Sequence, residues 1–422
     1  MKPISPFGLP LGISITFWVL VGLLRYASER LQKLKRGKRR SRNRFKASQI
    51  AALLPAHNEG LIIGRTIQAL KKSLDAKQIY VCSDGSADKT YRRARMKGVH
   101  VSNLVPGRGK AKALVYLLKR YRLFERYKLI FIVDADTRID KECVKRALPL
   151  FNDPQTGVVF ATSQIIWPQH IIPKLRYYFI AYRDRLNRIL QYGLIYGQTW
   201  KYTNVNYVIP GFATIYRSDI LSKLEIDTPG LLIEDFNLAF QMHKKKLAKI
   251  GFSHSLIGWD QYPDNLVDYC KQILRWNIGF FQTVRRNGVW PSFFWVTLGV
   301  FSAEVLLHSL FILLLPIIIL TPNFSIPPIG SGIFGAYFSG ILSPLLFGEI
   351  SVADIFIGVF VVDYLVTVLI GLLSKKPQFL FYGLFFFFMH YVVSVILLAS
   401  IIPGFFHSSS GRWVSPKRQA IR

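Results

Sequence analysis

The stretch Leu129-Ile-Phe-Ile-Val-Asp-Ala-Asp136 decides the fold of the middle part of the chain. Its first five residues are apolar and rich in β-branched types, which predicts a buried strand that ends where the two carboxylates begin. Upstream, further strands are predicted at 49–54, 79–82 and 100–104, with helices at 60–72, 88–96 and 111–121. Strands that alternate with helices predict an α/β fold, with a mostly parallel sheet and helices on both faces.

Polar side chains follow three of these predicted strands. Pro55-Ala-His-Asn-Glu59 comes after the first strand, Asp84 after the second, and Asp134 and Asp136 after the fourth. Ligands of such sheets bind beyond the carboxyl ends of the strands. Carboxylates crowded there raise one another's pKa unless a cation joins them, and oxygen ligands suit Mg²⁺ or Mn²⁺ beside a diphosphate. Asp-x-Asp alone is a weak signal, so the predicted metal site depends on all three loops.

Composition separates the 422 residues into two populations. Hydrophobic residues make up 51% of the chain, yet its formal net charge is +31. Between Arg25 and Lys46, eleven basic residues stand against one acid, Glu29. This excess flanks an apolar segment instead of alternating with aromatic residues on one domain, so it argues against nucleic acid as a partner and indicates a lipid surface. Three scattered cysteines predict neither a disulfide framework nor a zinc site.

Apolar runs flank the α/β region on both sides. The run at 7–24 is long enough to cross a bilayer of about 30 Å, and the basic flank after it is expected to stay in the cytosol. Three further spans are predicted at 293–320, 353–373 and 379–402. The Gly-rich run at 333–347 fits either a re-entrant segment or a fourth span, so the side of the basic tail, 412–422, stays open.

The sequence therefore predicts a multi-pass protein of the plasma (inner) membrane whose α/β domain faces the cytosol. The predicted units are an N-terminal transmembrane helix at 1–27, a basic linker at 28–47, the α/β domain at 48–286, and a C-terminal region of three to four membrane segments with a basic tail at 287–422. Within the domain, 167–192 mixes aromatic and basic residues. That mixture predicts either an interface helix on the membrane or a packed helix with a solvated basic face.

Six short blocks carry a resemblance to a known family: Leu54-Pro-Ala-His-Asn-Glu59, Ser83-Asp-Gly-Ser-Ala-Asp88, Gly109-Lys-Ala-Lys-Ala113, Val133-Asp-Ala-Asp136, Ile233-Glu-Asp235 and Gln272-Ile-Leu-Arg-Trp276. Each block is modest, but all six occur in the family's order across 48–286. The chain resembles the membrane-integrated branch of the family 2 inverting glycosyltransferases, which includes cellulose, hyaluronan, chitin-oligosaccharide and poly-N-acetylglucosamine synthases. The resemblance implies a GT-A catalytic domain plus an α-helical transmembrane region.

The resemblance also implies roles for residues in these blocks. It implies a UDP-sugar donor held by Pro55, Asn58, Glu59, Asp84, Lys110, Asp134, Gln272 and Arg275. It further implies Mg²⁺ or Mn²⁺ on Asp136, a glycan or glycolipid acceptor against Trp276, and a catalytic pair formed by Glu234 and Asp235. Outside the six blocks, 210–217 resembles the family's small-residue segment under the acceptor, which adds Gly211 to the acceptor site. In that pair Asp235 is the general base. The bilayer is an implied partner, and an accessory subunit is left open.

Some of these residues have plainer explanations. Asp235 would also suit the first turn of a helix, where the dipole favours a carboxylate, and Trp276 would also suit an interfacial anchor. Lys110 does not belong to a P-loop, because that motif places Ser or Thr after its lysine and Ala111 stands here. Ile233 and Ile273 depart from the family's usual residues, which weakens statements about the acceptor more than about the donor.

Three functions fit the sequence. The preferred interpretation is a processive synthase that extends a β-linked polysaccharide of N-acetylglucosamine or glucose units and exports it through the helices. The second is a single-addition transferase that acts on a lipid or short glycan. The third is a non-catalytic binding or transport protein, which would be expected to lose Asp136 or Asp235, whereas both are present.

Overall fold

A single eight-stranded sheet forms the centre of the structure, a computed structural model that describes residues 12–36, 43–168, 173–320, 352–409 and 411. Its strands are β1 Ile50–Ala56, β2 Ile79–Asp84, β3 His100–Leu104, β4 Leu129–Val133, β5 Arg138–Ile139, β6 Thr156–Ile165, β7 Ala213–Arg217 and β8 Lys249–Asp260. The strands predicted at 79–82, 100–104 and 129–133 are confirmed.

The strand order is β3-β2-β1-β4-β7-β6-β8-β5. The four strands from β3 to β4 are parallel, as predicted, and β6 also pairs in parallel with β8. However, β7 is antiparallel to both β4 and β6, and β5 is antiparallel to β8, so the sheet as a whole is mixed. Apolar runs look alike in either direction once both faces of a strand are buried, so the sequence pattern could not show this difference.

The first strand is longer than predicted, because it continues through Pro55 to Ala56. A proline cannot donate to a sheet ladder, which is why the sequence suggested an end at this residue. In the structure β1 pairs with β4 only up to Leu53, whereas Pro55 is in register with Cys82 on the other side. The proline therefore stands beyond the part of β1 that has strands on both sides.

Fifteen helices are described: α1 Gly12–Arg36, α2 Ile63–Leu70, α3 Thr90–Arg95, α4 Lys110–Arg120, α5 Leu123–Arg126, α6 Cys143–Ala147, α7 Lys174–Arg188, α8 Tyr196–Gln198, α9 Ser218–Leu221, α10 Asp235–Lys244, α11 Leu266–Asn287, α12 Phe293–Leu320, α13 Val352–Ser374, α14 Gln378–Gly383 and α15 Phe387–Phe406. A π-helical segment, Ile189–Ile195, joins α7 to α8. The predicted helices at 60–72, 88–96 and 111–121 correspond to α2, α3 and α4.

Two apolar clusters cover the two faces of the sheet. Leu114 and Leu117 of α4 belong to the first cluster, and Ile63 and Ile67 of α2 belong to the second. Burial of this apolar area is the main term that stabilises such a layered domain. Helices on both faces were predicted, and the structure confirms them.

Helix α7 lies in the segment for which an interface helix or a solvated basic face was predicted. The basic face is not solvated, because Arg183 and Arg185 are only 5% and 4% exposed. Arg185 pairs with Asp363 of α13, and Asp184 receives Lys376 Nζ at 2.6 Å from the turn after α13. The charges of α7 thus join the α/β domain to the C-terminal helices.

Helix α1 continues to Arg36, beyond the predicted membrane segment at 1–27, and packs on the π-helical segment and α8. Trp18 is 1% exposed, and a side chain at Gly197 would overlap the Trp18 carbonyl oxygen. Arg25, which is buried, donates to the carbonyl oxygens of Tyr196 at 2.7 Å and Phe252 at 2.9 Å. The helix is therefore hydrogen-bonded directly to β8.

Two described helical stretches are long and apolar enough to cross a membrane, Phe293–Ile317 of α12 and Phe387–Phe406 of α15. The apolar stretch Phe360–Ser374 of α13 is shorter. The span predicted at 379–402 is divided, since α14 ends at Gly383, where a Cβ would stand 2.7 Å from Thr367 Cγ2. The predicted segment at 333–347 and the tail at 412–422 lie outside the described residues.

Candidate active site

Lys110 is surrounded by carboxylates at the carboxyl edge of the sheet. Its Nζ lies 2.9 Å from Asp134 Oδ1, just after β4, and 3.0 Å from Glu234 Oε1, just before α10. Asp235 is the first residue of α10, so the plainer explanation of a carboxylate in a first helical turn holds for its position. The structure thus brings together four residues that sequence blocks far apart in the chain had suggested.

The charges of this cluster alter one another's proton affinity. Burial alone would lower the pKa of Lys110, but Asp134, Glu234 and Asp235 raise it well above its usual value. Burial would raise the pKa of Glu234, but Lys110 holds it below its usual value. Burial raises the pKa of Asp235 to about 7, against the opposing effect of Lys110. Glu234 is therefore the ion-pair partner, and Asp235 is the group able to take up a proton near neutral pH.

Gly211 lies against this cluster. A Cβ built on it would contact Lys110 Nζ and stand 2.8 Å from Asp235 Oδ1 and 3.4 Å from Glu234 Oε1. Its backbone N–H also donates to the Asp235 carboxylate. A larger residue at this position would displace the charged ends of these three side chains.

Replacing Gly211 by Ala is therefore expected to reduce turnover by about 10²-fold, because the new methyl group displaces Asp235 and Lys110 from their positions. Initial rates of sugar transfer would measure the effect. Gly299→Ala is the matched control, since a Cβ at Gly299 meets nothing within 4 Å. Equal rates for the two variants would contradict the close packing at Gly211.

Asp84 fixes the loop that leads into α4. Its two carboxylate oxygens accept from the backbone N–H groups of Arg108 and Gly109, each at 2.7 Å, and the residue is 1% exposed. Gly109 has a φ of 99°, which favours glycine, and it directly precedes Lys110. Asp84 was predicted to contact the donor, and in the structure it positions the backbone that carries Lys110.

The predicted donor residues after β1 gather beside the loop after β2. Asn58 has a φ of 55°, its N–H donates to Ser86 Oγ at 3.1 Å, and its Oδ1 accepts from Ala87 N at 2.8 Å. The N–H of Glu59, a residue that is 1% exposed, donates to Thr90 Oγ1 at 2.8 Å. Pro55 is buried within β1. These contacts bring the block at 54–59 against the block at 83–88 at the carboxyl ends of β1 and β2.

A third acidic residue, Asp260, lies beside Asp134 and Asp136, and the sequence did not indicate a role for it. Asp260 ends β8, is 5% exposed, and accepts a 2.7 Å hydrogen bond from Thr137 Oγ1 on its Oδ1. Its Oδ2 is enclosed and makes no hydrogen bond of standard geometry, although the Ser163 hydroxyl is close enough to the carboxyl group to oppose the rise of its pKa. Burial, with a further contribution from Asp136, raises the pKa of Asp260 to about 7. No local signal in the sequence indicates this residue, because only the antiparallel pairing of β5 and β8 places it opposite Thr137.

These oxygen atoms fit a divalent cation that is shared with a ligand. Among the described residues, no group of three His, Cys, Asp or Glu side chains is placed to hold a metal ion without other ligands. Asp136 and Asp260 would therefore supply protein ligands, and a diphosphate would complete the shell, as hard cations require. The observation that supports this fit is the enclosed Oδ2 of Asp260, which makes no hydrogen bond of standard geometry and lies in a carboxyl group affected by the charge of Asp136.

Replacing Asp260 by Asn is expected to weaken Mn²⁺ binding about tenfold or more, measured by electron paramagnetic resonance in the presence of UDP. The variant should also melt at a higher temperature without metal above pH 7, because a raised pKa in the folded state means that the ionised carboxylate destabilises the fold there. Asp140→Asn, beyond β5, serves as the control. Unchanged Mn²⁺ affinity in Asp260→Asn would place Asp260 outside the metal site.

The three predicted residues of α11 lie at the other side of the cluster. The charge of Arg275 contributes, after Lys110, to the lowered pKa of Glu234. Gln272 Oε1 is enclosed without a hydrogen-bond partner. The Trp276 ring packs against the guanidinium of Arg183, whose carbon is 4.6 Å from the ring centroid. Arg183 is a second residue that the sequence analysis had not singled out, because only tertiary packing brings α7 to α11.

The two unusual isoleucines have packing explanations. A Cβ at Gly279 of α11 would overlap the Ile233 side chain, so the glycine makes room for a large residue before Glu234. Ile273 is 7% exposed and belongs to an apolar cluster with Tyr182 and Phe386. A charged side chain at 273 would be buried among apolar groups, which is costly.

Comparisons with known proteins give one family match and two curated relatives. Residues 129–407 match the family model described as Glycosyl transferase family group 2. A protein described as probable glycosyltransferase YdaM of Bacillus subtilis is 26% identical over 245 residues, which is 55% of each chain. Uncharacterized protein MJ1222 of Methanocaldococcus jannaschii is 38% identical over 94 residues, 22% of this chain and 38% of that one. The chain thus spans about half the length, or less, of these curated relatives.

Two solved structures are also similar, at low identity. Mannosyltransferase PcManGT from Pyrobaculum calidifontis, in complex with GDP-Man and Mn²⁺, has a TM-score of 0.47 and 13% identity, and the match covers 93% of this chain and 97% of that one. Glucosyl-3-phosphoglycerate synthase from Mycobacterium tuberculosis has a TM-score of 0.38 and 16% identity, with 60% of this chain and 88% of that one covered.

Proposed function

Because the chain belongs to glycosyl transferase family group 2, we propose that it is an inverting, metal-dependent hexosyltransferase that moves a sugar from a UDP-sugar to an acceptor hydroxyl. The sheet with helices on both faces is its GT-A domain. The observation that carries the proposal is the cluster of Lys110, Asp134, Glu234 and Asp235. In it, a half-buried acid with a pKa near neutral stands beside a cation at the carboxyl edge of the sheet.

The chemistry follows from the positions of these groups. Asp235 takes the proton of the acceptor hydroxyl as its oxygen attacks the anomeric carbon. The bond from that carbon to the diphosphate oxygen breaks, and the electron pair leaves with the nucleoside diphosphate. Lys110 and Arg275 stabilise the negative charge that develops there. A single displacement of this kind inverts the anomeric centre, and one base is enough for it.

A divalent cation, Mg²⁺ or Mn²⁺, would supply further stabilisation of the leaving diphosphate. Asp136 and Asp260 would hold it, because the charge of Asp136 raises the pKa of Asp260 and the Oδ2 of Asp260 is enclosed. Asp134, in ion-pair contact with Lys110, keeps that ammonium at the edge of the donor site. UDP-N-acetylglucosamine and UDP-glucose are the proposed donors.

The proposed setting is the plasma (inner) membrane, with several crossings and the catalytic domain in the cytosol. The two apolar stretches Phe293–Ile317 and Phe387–Phe406 and the basic flank after the N-terminal run support this placement. The proposed units of the chain are the four predicted from the sequence, at 1–27, 28–47, 48–286 and 287–422. The ion pairs of α7 with the C-terminal helices support a catalytic domain docked on the membrane region.

Two products fit this proposal. The first candidate is a growing β-linked polysaccharide exported across the membrane, supported by Gln-x-x-Arg-Trp and the apolar helices that follow it. The second candidate is a single sugar added to a lipid or short glycan. The isoleucines at 233 and 273 replace the usual polar or small residues beside the acceptor. Ile233 packs on Gly279 and Ile273 lies in an apolar cluster, and both favour the second candidate.

Incubation of the purified protein in nanodiscs with Mn²⁺ and a panel of radiolabelled UDP-sugars tests the function. A long polymer from one donor would support the first candidate and identify the monomer. A single sugar in the lipid or short-glycan fraction would support the second. No transfer and no UDP release with any donor would contradict the proposed activity.

The pH dependence of transfer gives a further prediction. A general base works only when it is deprotonated, and the pKa of Asp235 is raised to about 7. The rate is therefore expected to fall about tenfold for each pH unit below 7 and to level off above it. Initial rates at saturating donor between pH 5 and 9 would measure this. A rate that stays constant down to pH 5 would contradict Asp235 as the base.

A further inference from the structure

Arg183, in the middle of α7, is a buried cation without a counter-charge. It is 5% exposed, and its guanidinium carbon lies 4.6 Å from the Trp276 ring centroid and 4.7 Å from the Tyr262 ring centroid. Its Nε is enclosed and has no hydrogen-bond partner, and among the described residues no carboxylate forms an ion pair with it. Arginine keeps its charge at any ordinary pH, so burial does not neutralise it.

Among the described residues, Arg183 is the one arginine of α7 that has no carboxylate partner. The other three arginines of α7 have carboxylate partners in the pairs Arg176–Asp264, Arg185–Asp363 and Arg188–Asp184. A buried, uncompensated charge is unfavourable, and folds normally pair such a charge. The exception lies beside the last residue of the Gln-x-x-Arg-Trp block, whose Arg275 acts on Glu234.

The two aromatic rings select what can bind to Arg183. They lie against the guanidinium and attract its charge, but they accept none of its in-plane N–H groups. Among the described residues, none accepts a hydrogen bond from the edge of this group. An oxyanion such as phosphate matches that edge, because its oxygens accept two parallel hydrogen bonds from one guanidinium.

We propose that Arg183 binds a phosphate group of the acceptor, next to the hydroxyl that receives the sugar. Its position supports this role, because the Tyr262 ring that it faces carries a hydroxyl 3.4 Å from Ser163 Oγ, and Ser163 in turn contacts the Asp260 carboxyl group. The inference rests on the proposed function and restricts its acceptor to a phosphorylated molecule. A neutral growing polysaccharide offers no oxyanion, so the subsite fits the single-addition candidate, with a phosphorylated lipid or phosphorylated small molecule as acceptor.

Binding without turnover tests the subsite. The full chain in detergent, saturated with UDP and Mn²⁺ so that the donor site is filled, would be titrated calorimetrically with octyl phosphate, inorganic phosphate and octanol. We expect octyl phosphate to bind and Arg183→Met to weaken that binding about tenfold or more. Arg188→Gln, which removes a paired arginine from the same helix, should bind as the unaltered chain does.

The probes also separate the two sources of phosphate. Octyl phosphate that binds much more tightly than inorganic phosphate, with no binding of octanol, indicates a lipid-linked phosphate. Equal affinity for both phosphates indicates a soluble phosphorylated acceptor. Equal affinity of Arg183→Met and the unaltered chain for octyl phosphate, or no phosphate binding by the unaltered chain, overturns the proposal.

Thermal unfolding without ligand distinguishes a binding role from a structural one. Arg183→Met should melt at the same temperature or higher, because the variant no longer buries an unpaired charge. A lower melting temperature together with unchanged octyl phosphate affinity would show that Arg183 only packs α7 against α11, and would overturn the proposal. A protein that binds phosphate through Arg183 but transfers no sugar would count against the proposed function alone.

Discussion

Replacing Asp235 by Asn is expected to reduce sugar transfer by about 10²- to 10⁴-fold, because an amide cannot take the proton of the acceptor hydroxyl. The amide has almost the same shape as the carboxyl group. It can still accept the N–H of Gly211 and stand beside Lys110, so the donor should bind as before. Initial rates and the KM for the UDP-sugar, measured side by side, separate these two effects.

The same variant should also be more stable to heat, which excludes unfolding as the cause of lost activity. The pKa of Asp235 in the folded protein is about 7, above its usual value, so the carboxylate destabilises the fold increasingly as pH rises toward 7 and fully above it. Thermal melts at pH 8 would measure this gain. Asp219→Asn, an exposed acid paired with Arg217, is the control. Retention of more than a tenth of the activity in Asp235→Asn would place the base elsewhere.

Replacing Lys110 by Met is expected to lower both stability and activity. The ammonium lies between the half-buried Asp134 and the buried Glu234, and its removal leaves these carboxylates and Asp235 to repel one another. Breaking a buried ion pair costs about 3 kcal/mol or more. Transfer should fall by at least about 10²-fold, since a charge that stabilises the leaving diphosphate is also lost.

Denaturant unfolding and initial rates would measure the two losses for Lys110→Met. Lys112→Met is the matched control, because Lys112 is on the same helix and exposed to solvent. This control should keep both stability and rate. If the two variants unfold at the same denaturant concentration, Lys110 does not compensate the carboxylates as the structure indicates.

The strands and helices of the first half could be predicted because their signals are local. Apolar runs such as 129–133 end in Asp134, and the helices between them have one apolar face. The sequence also indicated Lys110, Glu234 and Asp235, because they lie in short blocks that resemble a family. Local signals are sufficient wherever one strand or one loop determines the position of a side chain.

Asp260 and Arg183 could not be found this way, because their environments are made by distant segments. Asp260 acquires its neighbours from the antiparallel pairing of β5 with β8, a direction that an apolar pattern does not reveal. Arg183 differs from the other arginines of α7 because it has no carboxylate partner in the described part of the chain. That difference depends on how α7 packs against α11 and against the segment around Tyr262. The sequence of α7 alone predicted a solvated or membrane-facing basic surface.

Arg25 joins the N-terminal helix to the same strand that carries Asp260. The guanidinium holds the Phe252 carbonyl of β8, and Asp260 stands eight residues farther along that strand. Between these two places β8 leaves its regular register with β6, since Phe252 pairs with Phe160 but Ile257 pairs with Thr162. The N-terminal helix is thereby part of the scaffold of the catalytic edge. A truncation that removes α1 would also remove the hydrogen bond that Arg25 gives to the strand that ends in Asp260.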